Sequence, residues 1–181
     1  MKKFTIFLLV AVLVLGVSVM AGAEVVTLPG TATQTTTFTA IVAEQADVTV
    51  PATVIFNILD VTNSTTGTGA VSATSIVLFN TKSLMISLQG DAAAFTPPTG
   101  GTTTWAVGDV SWAAAPWDNG TSASGTLSNT AYNEVATSVA NAPSTGSTTT
   151  ITFTLAAKAA ASPAIWAGNH TLVARWKFES L

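Results

Sequence analysis

From residue 172 the sequence "LVARWKFES" alternates, with Leu172, Ala174, Trp176 and Phe178 on one face of an extended chain and Val173, Arg175, Lys177 and Glu179 on the other. The same period of two runs through "KSLMISLQG", where Leu84, Ile86 and Leu88 oppose Ser83, Met85 and Ser87. It returns in "STTTITFTL", which sets Ile151, Phe153 and Leu155 on a common side. Each of these stretches predicts a strand with one face toward a core. "TSIVLFN" and "VGDVSWAA" are shorter stretches of the same kind, bounded by turn residues.

Other segments carry the pattern less simply. "GTATQTTTFTAIVAEQ" is rich in β-branched Thr and places Phe38, Ala40 and Val42 opposite Thr37, Thr39 and Ile41, which predicts a strand with a weakly polar face. "DVTVPATVIFNILDV" reads as two extended pieces parted at Pro51, because proline cannot donate to a ladder. "TNSTTGTGA" and "DAAAFTPPTGGTTT" read as connections from their Gly, Pro, Asn and Ser content, and Asn119-Gly120 favours a tight hairpin turn. In "LSNTAYNEVATSVAN", Tyr132, Val135 and Val139 fit a helical spacing while Thr137 and Val139 fit a strand; the segment is read as a short turn leading into a strand. "AAASPAIWAG" is a loop before the last strand. Eight or nine short strands without a long helical period predict an all-β fold, an antiparallel immunoglobulin-like β-sandwich.

The amino terminus departs from this pattern. "MKKFTIFLLVAVLVLGVSVMAGA" joins Lys2 and Lys3 to an apolar run and an Ala21-Gly22-Ala23 site, the layout of a secretory signal peptide over residues 1–23 with cleavage before Glu24. The apolar run over residues 4–20 also approaches the length of a membrane span, so a retained anchor is the alternative. Cleavage divides the rest into a Thr-rich leader, residues 24–43, and a sandwich domain, residues 44–181. With no Cys there is no acylation site for a lipoprotein anchor, and the domain is held by packing and ladder hydrogen bonds without disulfides. The mature chain sets Lys82, Lys158, Arg175 and Lys177 against nine carboxylates, a formal charge of −5. It has no basic patch to neutralise phosphates, which argues against nucleic acid as a partner. Only 8% of all residues are charged, a surface suited to a structural or assembling protein.

The chemistry-bearing residues are sparse. One His and no Cys remove the familiar triads, thiol catalysis and most zinc sites, and His170 reads as a turn or strand-start residue. The carboxylates of Asp47, Asp60, Asp91, Asp109, Asp118 and Glu134 show no paired spacing, and most fall in predicted turns where Asp bonds its own backbone. The expectation is a protein that is not an enzyme and takes no cofactor. Asp and Asn oxygens in "LDVTNST" and "WDNGTS" could face calcium, but neither loop has an EF-hand pattern and turn chemistry accounts for both. Trp105, Trp112 and Trp117 lie close in sequence. Trp112 belongs to a strand core, whereas Trp105 and Trp117 flank loops and are the candidate stacking platform for a sugar ring, set against a role in pinning those loops. Sequons stand at Asn63, Asn119 and Asn169, but chance matches are expected in a chain so rich in Asn, Ser and Thr, and no modification is predicted.

The leader "TATQTTTFTAIV", the strand "SLMISLQGD", the "VSW" of residues 110–112 and above all "AGNHTLVARWKF" together resemble pilin-type subunits of the chaperone-usher pathway, particularly the cysteine-free colonisation-factor class. More loosely the layout is similar to spore coat protein U domains. The resemblance implies a sandwich lacking one strand, completed by the leader of the next subunit through β-augmentation into a head-to-tail filament, with a periplasmic chaperone and an usher as further partners. It places Phe38, Ala40 and Val42 as the side chains entering the groove, with Trp176 and Phe178 on the strand at its rim. The residues alone leave the leader equally readable as the first strand of its own sandwich. Two functions follow as expectations: a secreted structural subunit that assembles with itself or related subunits, or a self-contained binding module, for carbohydrate through Trp105 and Trp117.

Overall fold

Leu84, Ile86 and Leu88 form strand β3 (Leu84–Gly90) as their alternation predicts, and all three are buried. A computed structural model describes residues 37–141, 145–158 and 164–181. The chain divides into two units, Met1–Ala40 and Ile41–Leu181. Residues 1–23 and most of the leader lie outside the described residues; of the first unit, residues 37–40 carry no regular secondary structure and are exposed.

The second unit is a β-sandwich. In chain order its strands are β1 (Gln45–Thr49), β2 (Thr65–Val77), β3, β4 (Val110–Ala114), β5 (Gly120–Ser122), β6 (Gly125–Thr126), β7 (Asn133–Val139), β8 (Ser147–Leu155) and β9 (Ala174–Ser180). They make two antiparallel sheets, β1-β2-β8-β4-β6 and β5-β7-β3-β9. Ile151, Phe153 and Leu155 of β8 and Trp112 of β4 turn inward from the first sheet, and Ile86 of β3 and Val135 of β7 turn inward from the second. Each such side chain contributes about 1.5–3 kcal/mol on burial. In a chain without disulfides this core and the ladders carry the stability.

Four local readings are corrected. The stretch "TNSTTGTGA" is a connection only as far as Ser64; from Thr65 it is the first half of β2, the longest strand at 13 residues. Gly67 and Gly69 face inward there, and a β-carbon on Gly67 would stand 2.7 Å from the carbonyl oxygen of Ile55. These are strand glycines required by the close approach of residues 51–55, the Ile55 carbonyl at Gly67 and the Pro51 ring at Gly69, not turn glycines. The piece after Pro51 is extended and alternates, with Val54, Phe56 and Ile58 packed on the core, yet it joins no ladder. Asn119-Gly120 makes a turn but no hairpin, since β4 and β5 belong to different sheets. The turn is instead tied to the start of β8, where the Asn119 amide donates to the Gly146 carbonyl at 2.8 Å and the Thr148 hydroxyl donates to Asp118 Oδ2 at 2.8 Å. Finally, residues 37–44 form no strand, and the first ladder begins at Gln45.

β2 also contains a bulge. Between Asp47↔Thr74 and Gln45↔Val77 it has one residue more than β1, and Ser75 takes up the difference at φ 52°, in the left-handed region.

Candidate assembly groove between two sheet edges

The four edge strands of the sandwich are unequal. On one flank they are β5 and β6, three and two residues long. On the other they are β1 and β9, five and seven residues long. β9 pairs with β3 from Leu84↔Ser180 to Gly90↔Ala174 and has no ladder partner on its other side among the described residues. β1 likewise pairs only with β2, and only over Ser72 to Val77. Among the described residues nothing pairs with residues 65–71 of β2 on that flank either.

Two depressions run along the flank. The larger, about 660 Å³, has Leu88, Trp105, Val110, Phe153 and Leu155 at its base, residues 51–58 along one wall and residues 168–174 with Trp176 along the other. The smaller, about 390 Å³, lies between β1 and the far end of β9, with Val48, Leu84 and Phe178 in its lining. Alternation explains why one strand serves both. Trp176 and Phe178 point to the same side of β9, toward the other sheet, where no strand of the described residues covers them; Trp176 is half-buried and Phe178 is 41% exposed.

The wall at residues 166–172 is pinned from below. The Trp105 indole donates to the Ala156 carbonyl at 3.0 Å and meets the His170 ring edge-on at 5.2 Å. His170 Nδ1 lies 2.8 Å from Thr104 Oγ1 and its Nε2 lies 3.0 Å from the Trp166 carbonyl. Both ring nitrogens are thus engaged in holding a loop, in line with the turn reading of His170. Gly168, at φ 138°, makes the turn within that loop, and a β-carbon there would press on Pro98 at 2.9 Å.

The outward charges of β9 are paired, Arg175 with Asp91 and Lys177 with Glu179 at 2.7 Å, and Lys177 Nζ lies 5.5 Å from the Tyr132 ring centroid. At the rim of the smaller depression, Glu44 accepts the Phe79 N–H at 2.9 Å and faces Lys82 at 3.7 Å. The Phe79 hydrogen bond, more than the lysine, holds the Glu44 carboxyl below the usual carboxylate range.

The candidate site residues separate into three groups. Trp176 and Phe178 line the two depressions. Phe38, Ala40 and Val42 are exposed and in no strand. Trp105 and Trp117 are 2% and 5% exposed, which corrects their reading as an exposed stacking platform: each is packed into the core, and Trp105 borders the larger depression. The Asp60 carboxylate accepts from Thr62 and Asn63, which is turn chemistry, and among the described residues no group of three potential metal ligands forms. Missing from the candidates were Val54, Phe56 and Ile58. Their signal lay in the alternation beyond Pro51, where a strand rather than a groove wall was expected.

An apolar trough beside a free backbone edge can accept an extended chain: main-chain bonds form at the edge and alternate side chains enter the trough. No protein-family model, curated protein or solved structure matches this chain.

Proposed function

We propose that this protein is a non-enzymatic structural subunit of the cell exterior that assembles by accepting a β-strand into the flank between β1 and β9. The donor is the leader of another copy or a related subunit, residues 35–43, with Phe38, Ala40 and Val42 as the side chains that enter the trough. The observation that carries this reading is the condition of β9: a seven-residue edge strand with no outer partner among the described residues, whose Trp176 and Phe178 face the two depressions. Natural sheets shorten or cover such edges, as the opposite flank does with the short strands β5 and β6. The exposed, unladdered state of residues 37–43 suits a donor.

Export by way of the signal peptide, residues 1–23, belongs to the same reading. So does a periplasmic chaperone with an usher, which would cover the apolar flank before assembly. Light scattering and electron microscopy of the mature protein with and without residues 24–43 test it. Oligomers or filaments that vanish on truncation, leaving a sandwich that binds a synthetic leader peptide, are expected. A full-length monomer that the truncation merely unfolds would show that the leader completes its own sandwich.

A further inference from the structure

Residues 51–58 have the side-chain pattern of a strand and the backbone of a loop. Val54, Phe56 and Ile58 pack on the core while Ile55 and Leu59 are exposed, the period of an extended chain. No backbone group of residues 51–59 is hydrogen-bonded to the backbone of another described residue. The chain leaves the β1 ladder after Thr49↔Ser72 and crosses the inner side of β2, where a β-carbon on Gly69 would meet Pro51 Cγ at 2.6 Å and one on Gly67 would meet Val54 Cγ1 at 2.8 Å. It forms a wall of the larger depression.

Among the described residues, the edge it has left stands empty. β2 is paired on one side along its whole first half, by β8 from Thr65↔Leu155 to Ala73↔Ser147, and on the other side, among the described residues, by nothing before Ser72. The last three β1–β2 pairs, Asp47↔Thr74, Val48↔Ala73 and Thr49↔Ser72, define a register. Continued, it sets Val50 against Val71, Val54 against Gly67 and Phe56 against Thr65. In that register Val50, Val54 and Phe56 stay on the inner face with Val48, so the side-chain pattern of the segment fits both positions. What differs is the backbone, bonded in one and not in the other.

We propose that residues 51–58 are a resident occupant of the groove that leaves it by extending β1 along the free edge of β2, and that this exchange controls when the groove accepts a strand. Extension gains ladder hydrogen bonds and gives up the apolar contacts across Gly67 and Gly69; an incoming strand that fills the vacated trough replaces those contacts and shifts the balance. The control of strand entry rests on the assembly reading above, whereas the exchange itself does not.

Hydrogen exchange read by mass spectrometry separates the two. In the wild-type protein, amides 52–58 should exchange as unprotected chain. In Gly67→Ala the added methyl takes the seat of Val54 and the Ile55 carbonyl, and exchange at residues 52–56 should slow at least tenfold while β8 keeps its protection. Fast exchange at 52–56 in that variant, with β8 protected, overturns the proposal; should Gly67→Ala not fold, Gly69→Ala presses on Pro51 in the same way and is read by the same criterion. In the second arm a synthetic peptide of residues 31–43 is added to wild type. Slowing on β9 and at 52–56 together is expected. Slowing on β9 alone means that strands bind without displacing the segment, which overturns the control of entry and leaves strand acceptance standing. Slowing at neither place removes strand acceptance and control together, and the glycine variants still decide the exchange.

Discussion

The ring of Trp112 occupies the place where a side chain at position 125 would begin: a β-carbon on Gly125 would lie 2.6 Å from Trp112 Cζ2. The two are paired neighbours in β4 and β6, and Trp112 is buried against Phe153 on its other side. The indole has nowhere to go. Gly125→Ala should lower the free energy of unfolding by about 1–3 kcal/mol, the range for overpacking a filled core, as measured by urea denaturation. Gly67→Ala, where the obstructing chain has an empty edge to move to, should cost less.

Ser75 holds a left-handed backbone conformation at φ 52° within the β2 bulge. A β-carbon is penalised there by about 1–2 kcal/mol, against which glycine brings about 0.5–1 kcal/mol of extra chain entropy. Ser75→Gly should therefore stabilise the sandwich by up to about 1 kcal/mol, visible as a raised urea midpoint at unchanged slope.

Two buried tryptophans differ in their hydrogen bonding. Trp105 donates to the Ala156 carbonyl, whereas the indole N–H of Trp117 has no partner among the described residues. Replacement by Phe removes a similar volume from each, but only Trp105→Phe also strands a carbonyl. It should be the more destabilising by about 1 kcal/mol. Equal losses in the two variants would show that the Ala156 bond contributes nothing.

Trp176 and Phe178 were legible as one face of a terminal strand, and the sandwich was legible from β3 and β8, because a buried strand with one polar side writes a period of two into the sequence. Gly67 and Gly69 were not. Their residue type signals a turn when it stands alone, and only the three-dimensional passage of residues 51–55 gives it another reason. Trp105 and Trp117 show the same limit, since an aromatic beside a loop can cover the loop or face solvent and the sequence is the same for both. The groove itself is a relation between two sheet edges far apart in sequence, β1 and β9, and local periodicity does not record which strand lies opposite which.

Assembly and folding should respond to different positions. Phe38→Asp in the donor segment, and Phe178→Asp on the half-exposed rim, should each abolish filaments or reduce leader-peptide binding more than tenfold while the sandwich still unfolds cooperatively. Ile86→Ala, deep in the core, should instead cost about 2–5 kcal/mol of stability. Undiminished polymerisation of the Phe38→Asp protein would remove the leader as donor.

Acid should weaken the rim of the smaller depression. Glu44 is held below its ordinary value of 4.5 chiefly by the Phe79 N–H, and Asp60 below 3.8 chiefly by the Thr62 hydroxyl. Because both folded values are depressed, the ionised forms favour the native state fully above those ordinary values, and the benefit disappears as pH falls through the lower folded values. Glu44→Gln should narrow the difference between urea midpoints measured at about pH 3 and about pH 6. A gap identical to wild type would show that Glu44 is not the responsible group.

The inequality of the flanks has a mechanical consequence. β5 and β6 together offer five residues of edge, too few to template a neighbouring sheet, while β1 and β9 offer twelve. In the assembly proposed above, a particle that accepts a strand along one side only and donates its own leader can be joined end to end but not tiled. Threads built from it would lengthen without thickening, and lateral fusion into mats would have no seam along which to begin.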